Sequence, residues 1–325
     1  INEIPDLQAR IQVSLFNILE EGDIQIRGFK LRMPLDILFV FTANPEDYTN
    51  RGSIVTPLKD RIESQILTHY PRTIEIALSI TEQESDVTAE QKSLVKVSDL
   101  VKRLIEQVAF EARTSEFVDK KSGVSARLTI AAYENAVSAA ERRAILNKEK
   151  ETQVWMSDLV GIVPSITGKI ELVYEGEQEG PYQVAFNLLE KAFRSQFVNY
   201  FPNPDQLKKR KPGEGKEENP FKPVTGWFDK GNQLNLFFNT KDEEKVQQLY
   251  KVDGLHALIK KYFKHANEKE AALLMEFVLH GLSAYSLISK KVVEGRIEFK
   301  DLIGSMVNLG SGTYSTDDDY GDDFK

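Results

Sequence analysis

The chain is 325 residues long, enough for two or three domains that each bury a core, and its 41% hydrophobic and 28% charged content is that of an ordinary globular protein. A net charge of −8 argues against non-specific binding to nucleic acid or to an anionic membrane. The absence of cysteine excludes disulfides, thiolate catalysis and cysteine-based zinc sites together and fits a reducing cytoplasm, and no apolar run reaches the 18 residues of a membrane span.

From the first residue onward, Leu7, Ile11, Leu15, Ile18 and Leu19 recur at the spacing of one buried helical face, and Gly22 stands where that helix should stop. Residues 23–33 alternate apolar and polar side chains on both sides of Gly28, which predicts a hairpin with one solvated face. Residues 35–41 are almost continuously apolar, as in a central parallel strand covered on both faces, and the run ends abruptly at Thr42-Ala43-Asn44-Pro45. Thr56-Pro57 reads as an N-cap followed by proline at the first helical position, opening a short helix that carries Lys59, Asp60 and Arg61. Residues 73–80 read as a further strand, and Thr81-Glu82-Gln83-Glu84 as a capping box that starts the next helix.

Residues 93–172 read as helical, with Val101, Leu104, Ile105 and Val108 on one face, a turn and cap at Ser122-Gly123-Val124-Ser125, and Ser157-Asp158 capping a last short helix. The acidic, glycine-containing stretch 175–181 reads as a domain linker. Beyond it the expectations are an amphipathic helix over 182–201, a mobile loop at 202–223, and a hairpin over 227–238 turning at Asp229-Lys230-Gly231-Asn232. Two helical stretches follow, 242–263 with an interruption near Asp253-Gly254, and 267–294. The expected layout is therefore an α/β segment at 1–88, a helical domain at 89–174, a mainly helical domain at 182–310, and a disordered acidic tail at 311–325.

Doubly wound sheets place ligand chemistry at the carboxyl ends of their strands. If Asn2-Glu3 ends one strand and Asn44 ends its neighbour about 4.8 Å away, their side chains converge on one site. A glutamate and an asparagine held there are suited to position and activate a water for attack on a phosphoryl group. Arg61, on the helix beyond, is placed to stabilise transition-state charge, with Arg51 in the preceding loop as a rival. The histidines His69, His256, His265 and His280 show no ligand spacing, and the basic run Lys208-Lys209-Arg210-Lys211 sits in a mixed-charge loop.

These motifs, in this order, resemble those of AAA+ ATPases of the MoxR and magnesium-chelatase I-subunit branch over roughly residues 1–172. Ile1-Asn2-Glu3 resembles a Walker B motif with asparagine in place of the usual aspartate, and Thr42-Ala43-Asn44-Pro45 resembles sensor 1. Thr56-Pro57-Leu58-Lys59-Asp60-Arg61 is similar to the arginine-finger helix, and Gly123-Val124-Ser125-Ala126-Arg127 to the sensor 2 of the lid. The hairpin before the sensor-1 strand is similar to the insertion typical of that branch. The resemblance implies a partial P-loop-type parallel sheet, the C-terminal half of an AAA+ core, followed by an all-α lid and a mainly helical C-terminal domain.

It implies these roles as well: Glu3 polarising the attacking water, Asn2 in the shell of Mg2+, Asn44 orienting water or the γ-phosphate, Arg61 acting in trans on a neighbour's ATP, and Arg127 touching phosphates from the lid. A ring homo-oligomer, of the hexameric kind, and a partner carrying a von Willebrand factor A domain are implied by the family, with no membrane or nucleic acid. A non-hydrolysing interaction protein on the same scaffold and a true metal-chelatase subunit are the alternatives. The Gly-x-x-x-x-Gly-Lys-[Ser/Thr] loop that grips the triphosphate does not occur in these residues, so an apolar strand and that loop are expected upstream of Ile1, and these residues alone are expected to bind ATP weakly.

Overall fold

The computed structural model describes residues 1–21, 23–26, 29–32, 37–44, 54–209 and 219–302. The chain is mixed α/β and mostly helical, and it divides into two compact units, Ile1–Tyr70 and Pro71–Lys325. No helix of the described residues is long and apolar enough to cross a membrane.

The first unit begins with a single 3-10 turn, Ile4–Asp6, followed by α1 (Ala9–Glu21). Strands β1 (Asp23–Ile26) and β2 (Phe29–Arg32) pair antiparallel from Asp23 opposite Arg32 to Ile26 opposite Phe29, the hairpin that the alternating pattern predicts. Helix α2 (Thr56–Asp60) starts with Pro57 in its first turn and buries Leu58 against α1. Residues 37–41 do not form the strand expected over 35–41, of which 35 and 36 lie outside the described residues. Within the described residues their backbone partner is the segment at Ile1–Ile4, on one edge only, and Leu38 is 88% exposed rather than covered.

The second unit opens with α3 (Ile74–Glu84), where the alternation over 73–80 predicts a strand. Thr73 decides the difference: it caps the helix by accepting from the Ile76 amide at 3.4 Å, with Glu75 favourably placed at the positive helix end. The inward residues Ile74, Ala77, Leu78 and Thr81 then follow helical spacing. Thr81-Glu82-Gln83-Glu84 accordingly ends this helix instead of starting another, and the reciprocal capping box belongs to Thr88 and Gln91 at the start of α4 (Ala89–Leu94). A two-residue parallel pairing, β3 (Val95–Lys96) with β4 (Thr152–Gln153), brackets α5 (Asp99–Thr114) and α6 (Arg127–Asn147).

A 3-10 segment, Met156–Ile162, leads into α7 (Val163–Thr167) and α8 (Tyr174–Glu179). The stretch 175–181, expected as a linker, is therefore helical at 175–179, breaks only at Gly180 and starts the next helix at Pro181. Gly176 explains why, since a side chain there would sit 2.5 Å from the Phe117 carbonyl oxygen; its absence lets α8 lie directly on that backbone. Helix α9 (Pro181–Tyr200) packs on both α5 and α14 (Glu268–Ala284), burying Phe193 and Phe197 among Phe201, Phe221 and Phe277. One hydrophobic core runs from Val87 to Phe299, so the residues expected as separate domains at 89–174 and 182–310 share a single interior, and residues 71–88 belong with them.

Three further expectations change in this half. Within 202–223, Pro204–Lys209 is a helix, α10, opened by the Asn203 side chain accepting from the Asp205 amide at 2.9 Å; residues 210–218 lie outside the described residues. Residues 227–238 are not a hairpin, because Trp227 lies in the last turn of α11 (Lys222–Asp229) and β5 (Leu234–Phe237) pairs with β7 (Arg296–Lys300). Gly254, at φ 78°, separates α12 (Asp242–Tyr250) from α13 (Leu255–Tyr262) as expected. The helix expected over 267–294 stops at Ala284, and β6 (Ser289–Val293) turns through Gly295 into β7, giving a sheet of order β5-β7-β6. The acidic tail at 311–325 lies outside the described residues.

Candidate functional site

In the first unit, the Ile1 amino group donates to the Val40 carbonyl at 2.7 Å and the Thr42 amide donates to the Ile1 carbonyl at 3.0 Å. One residue bonded to the carbonyl before and the amide after its neighbour is the parallel pattern. It sets Asn2-Glu3 beside Thr42-Ala43-Asn44. Thr42 then ties the two segments together: its hydroxyl donates to the Asn2 side-chain oxygen and accepts from the Glu3 amide at 2.9 Å, and its carbonyl accepts from the Ile4 amide at 2.9 Å.

Glu3 takes up φ 52°, ψ 57°, the left-handed region that costs a residue with a side chain about 1 kcal/mol or more. That turn ends the extended run and starts the 3-10 turn. Among the described residues no hydrogen bond or ion pair holds the Glu3 carboxylate, and Asn44 is exposed two residues beyond Thr42. Oxygen is the donor type this corner offers, from one carboxylate, two amides and one hydroxyl. No cluster of three or more histidine, aspartate or glutamate side chains suited to a metal occurs among the described residues.

Arg61 caps the C-terminal end of α2 and folds back onto α1 of its own chain. Its Nε lies 2.8 Å from a Glu20 carboxylate oxygen, its Nη1 donates to the Pro57 carbonyl at 2.8 Å, and its guanidinium sits 5.0 Å over the Phe16 ring. The Glu20 hydrogen bond and charge hold its pKa above the usual arginine value. Arg51, the rival, lies outside the described residues. Gln12, which no sequence signal singles out, organises this region: buried in the first turn of α1, it donates to the Leu7 carbonyl and accepts from the Val55 amide, both at 2.9 Å. It thereby joins the turn after Glu3 to the segment that starts the Arg61 helix.

In the second unit, Arg127 is exposed at the first turn of α6, with its amide donating to Ser125 Oγ at 3.1 Å. Gly123, at φ 71°, makes the turn that precedes it.

The strongest electrostatic feature of the second unit is a buried network the sequence does not announce. Arg143 contacts Asp242 and Asp158 and also donates to the Gln153 carbonyl at 2.8 Å, while Trp155 Nε1 donates to Asp242 at 2.8 Å. Burial acts to lower the arginine pKa, but the two carboxylates outweigh it and the group stays cationic. Next to it, Lys245 donates to Ser157 Oγ at 2.6 Å, and Glu276 accepts from the amides of Met156 and Ser157, each at 3.0 Å. Burial pushes the Lys245 pKa down and the Glu276 pKa up. A serine beside a desolvated lysine has the makings of a nucleophilic pair. Both residues are only 1% exposed, so no substrate reaches the hydroxyl, and the network serves to hold helices in register. The alanines along α6 would have been the one hint, since a helix face that small admits a neighbour's buried polar group.

The fold thus defines a mainly helical α/β protein, with oxygen-rich side chains gathered at one corner of the first unit. No protein-family model, curated protein or solved structure matches the chain.

Proposed function

We propose that these residues supply the water-activating and sensing half of an ATP-hydrolysing site of AAA+ type, in the MoxR and magnesium-chelatase-like branch, working in a ring homo-oligomer of the hexameric kind that remodels a protein partner. The observation that supports this reading is the parallel bonding of Ile1 to Val40 and Thr42, which sets Asn2-Glu3 next to Thr42-Ala43-Asn44. A carboxylate left without a partner beside an exposed amide is what a water-activating pair needs. In this reading Glu3 takes the proton of the attacking water and Asn44 orients that water or the γ-phosphate. Mg2+ keeps several waters and phosphate oxygens and asks few hard oxygen donors of the protein; the Asn2 amide would hold it through a water, and when bound the ion would neutralise phosphate charge.

Arg61 serves the neighbouring subunit, and its present partner does not forbid that. Glu20 is half-exposed, and exposed pairs of this kind are worth about 0.2–1 kcal/mol, which an ATP phosphate easily outbids. Arg127 reaches the phosphates from the helical part. The partner implied by the family carries a von Willebrand factor A domain, in the cytoplasm, and the extra helical residues beyond 180 favour general remodelling over metal insertion. The P-loop must come from outside these 325 residues.

The second reading, a non-hydrolysing interaction protein, is favoured by Asn2, a neutral amide whose oxygen already accepts from Thr42. ATP turnover by the assembly that supplies the P-loop separates the two. Glu3→Gln should keep nucleotide binding and lower turnover about 100-fold or more, the range of a general base. Equal turnover in both chains would overturn the role of Glu3, and binding without turnover in the unaltered assembly would favour the second reading.

A further inference from the structure

A cavity of about 520 Å³ opens between α11 and α13. Each helix presents one face to it: Lys222, Pro223, Gly226 and Lys230 from the first, Gly254, Ala257, Leu258 and Lys261 from the second. Pro223, Gly226, Ala257 and Leu258 give an apolar lining with little side-chain bulk. Lys222, Lys230 and Lys261 are exposed around it, and among the described residues no carboxylate lines it and none of the three forms an ion pair. In a chain of net charge −8, three uncompensated lysines about one apolar groove mark a surface for a ligand that is anionic and carries flat apolar groups.

The chain encodes such a ligand. Residues 316–325 bring Asp317, Asp318, Asp319, Asp322 and Asp323 together with Tyr320 and Phe324. Between Leu302 and Asp317 there are 15 residue steps, a reach of about 50 Å at full extension. A compact unit of residues 71–302 is roughly 45 Å across, so a tether of about 50 Å running over its surface covers most of that surface. We propose that the groove between α11 and α13 is the intramolecular docking site of the acidic, aromatic-bearing segment 316–325. Aspartates meet the lysines, and an aromatic ring covers the apolar lining. Exposed ion pairs contribute little each, so the contact is weak in isolation; tethering raises the local concentration of the segment to about the millimolar range and keeps the groove occupied. The consequence is a groove open to an acidic partner only by displacement.

The test uses a fluorescently labelled peptide of residues 314–325, with anisotropy as the readout, against the full chain and a variant ending at residue 313. The shortened chain should bind the peptide, and the full chain should bind it at least about tenfold more weakly because its own segment competes. Replacing the three lysines by glutamate (Lys222→Glu, Lys230→Glu, Lys261→Glu) in the shortened chain should weaken binding about tenfold or more, as should a peptide with all five aspartates changed to asparagine, in case the lysine variants misfold. Binding should fade by roughly 0.5 M salt. No peptide binding by the shortened chain, or binding indifferent to both the lysine and the aspartate changes, would overturn the proposal. So would inorganic pyrophosphate binding at the lysines where the peptide does not, or a concentration-dependent self-association of the full chain that vanishes on shortening, which would assign the segment to a second copy.

Discussion

Arg143 and Asp242 stand 99 residues apart in the chain and form an ion pair at 2.5 Å, with side chains only 1% and 8% exposed. Thr152, Trp155 and Asp158 complete the hydrogen bonds around them, so the pair joins α6, the segment after β4 and the first residue of α12. Removing one partner leaves buried carboxylates uncompensated. Arg143→Met should therefore cost about 3–5 kcal/mol in urea unfolding, and adding Asp242→Asn to it should cost less than the sum of the two single changes. Strict additivity would mean that the pair is not energetically coupled.

Gly281 lies inside α14, where alanine ordinarily gains about 1 kcal/mol over glycine. Here the sign should reverse. A methyl group at that position would come within 2.0 Å of the Phe197 ring, and that ring is locked among Phe201, Phe221, Phe277 and Tyr285. Gly281→Ala should lose about 1–3 kcal/mol, read as a lower Tm, and Phe197→Leu should restore part of the loss by making room.

Glu106 is buried in α5, and Thr81 donates to its carboxylate at 2.6 Å. Burial, opposed by the hydroxyls of Thr81 and Thr129 and by Arg113, raises its pKa above the ordinary value of 4.5. A carboxyl raised in the folded state contributes stability that is complete below about pH 4.5 and is lost as pH climbs through the raised value. Glu106→Gln should remove that fall, so the stability of the variant relative to the parent should rise between about pH 4.5 and neutral pH and stay flat below it. Urea unfolding across this range checks it, and parallel pH profiles would count against the assignment.

Gln12 carries a local prediction. Replacing it by leucine keeps the bulk but leaves the Val55 amide and the Leu7 carbonyl without their partner, at about 1–3 kcal/mol. Hydrogen exchange at Val55 should quicken about tenfold or more, with α2 and Arg61 loosened from α1. The second unit's Tm should not move, because none of these bonds reaches it.

The helices with long, regular apolar stripes were legible from residue order, as in the Val101–Val108 face of α5 and in α9; at α1 the helix was legible but not its face, because Ile11 is 41% exposed and Gln12 is the residue buried. So were the hairpin at β1–β2 and the break at Gly254. The errors fell where two periods coexist. Residues 74–81 satisfy a two-residue alternation and a helical stripe at once, and a single cap at Thr73 selects the helix. The turn residues at 229–232 predict a hairpin from Trp227 onward, while the strand's true partner, β7, comes some sixty residues later, as Leu234 pairs with Phe299. Of the proposed site residues, Asn44 stands at the polar stop to an apolar run, Asn2 and Glu3 stand out only through the resemblance, and Gln12 carries no signal, since an internal glutamine on a helix looks like any solvated one.

What residue order determined by itself was local: which stretches are helical, where glycine and proline interrupt them, and which polar groups end the apolar runs. Periodicity and capping act over a few residues, so they are written in consecutive positions. Only the tertiary structure decided that Arg143 meets Asp242, that Lys245 is sealed beside Ser157 and Glu276, and that Arg61 rests on Glu20. Those pairings depend on which helices share an interior, and the burial that perturbs their charges is a property of the packed core, present in no single segment of the chain.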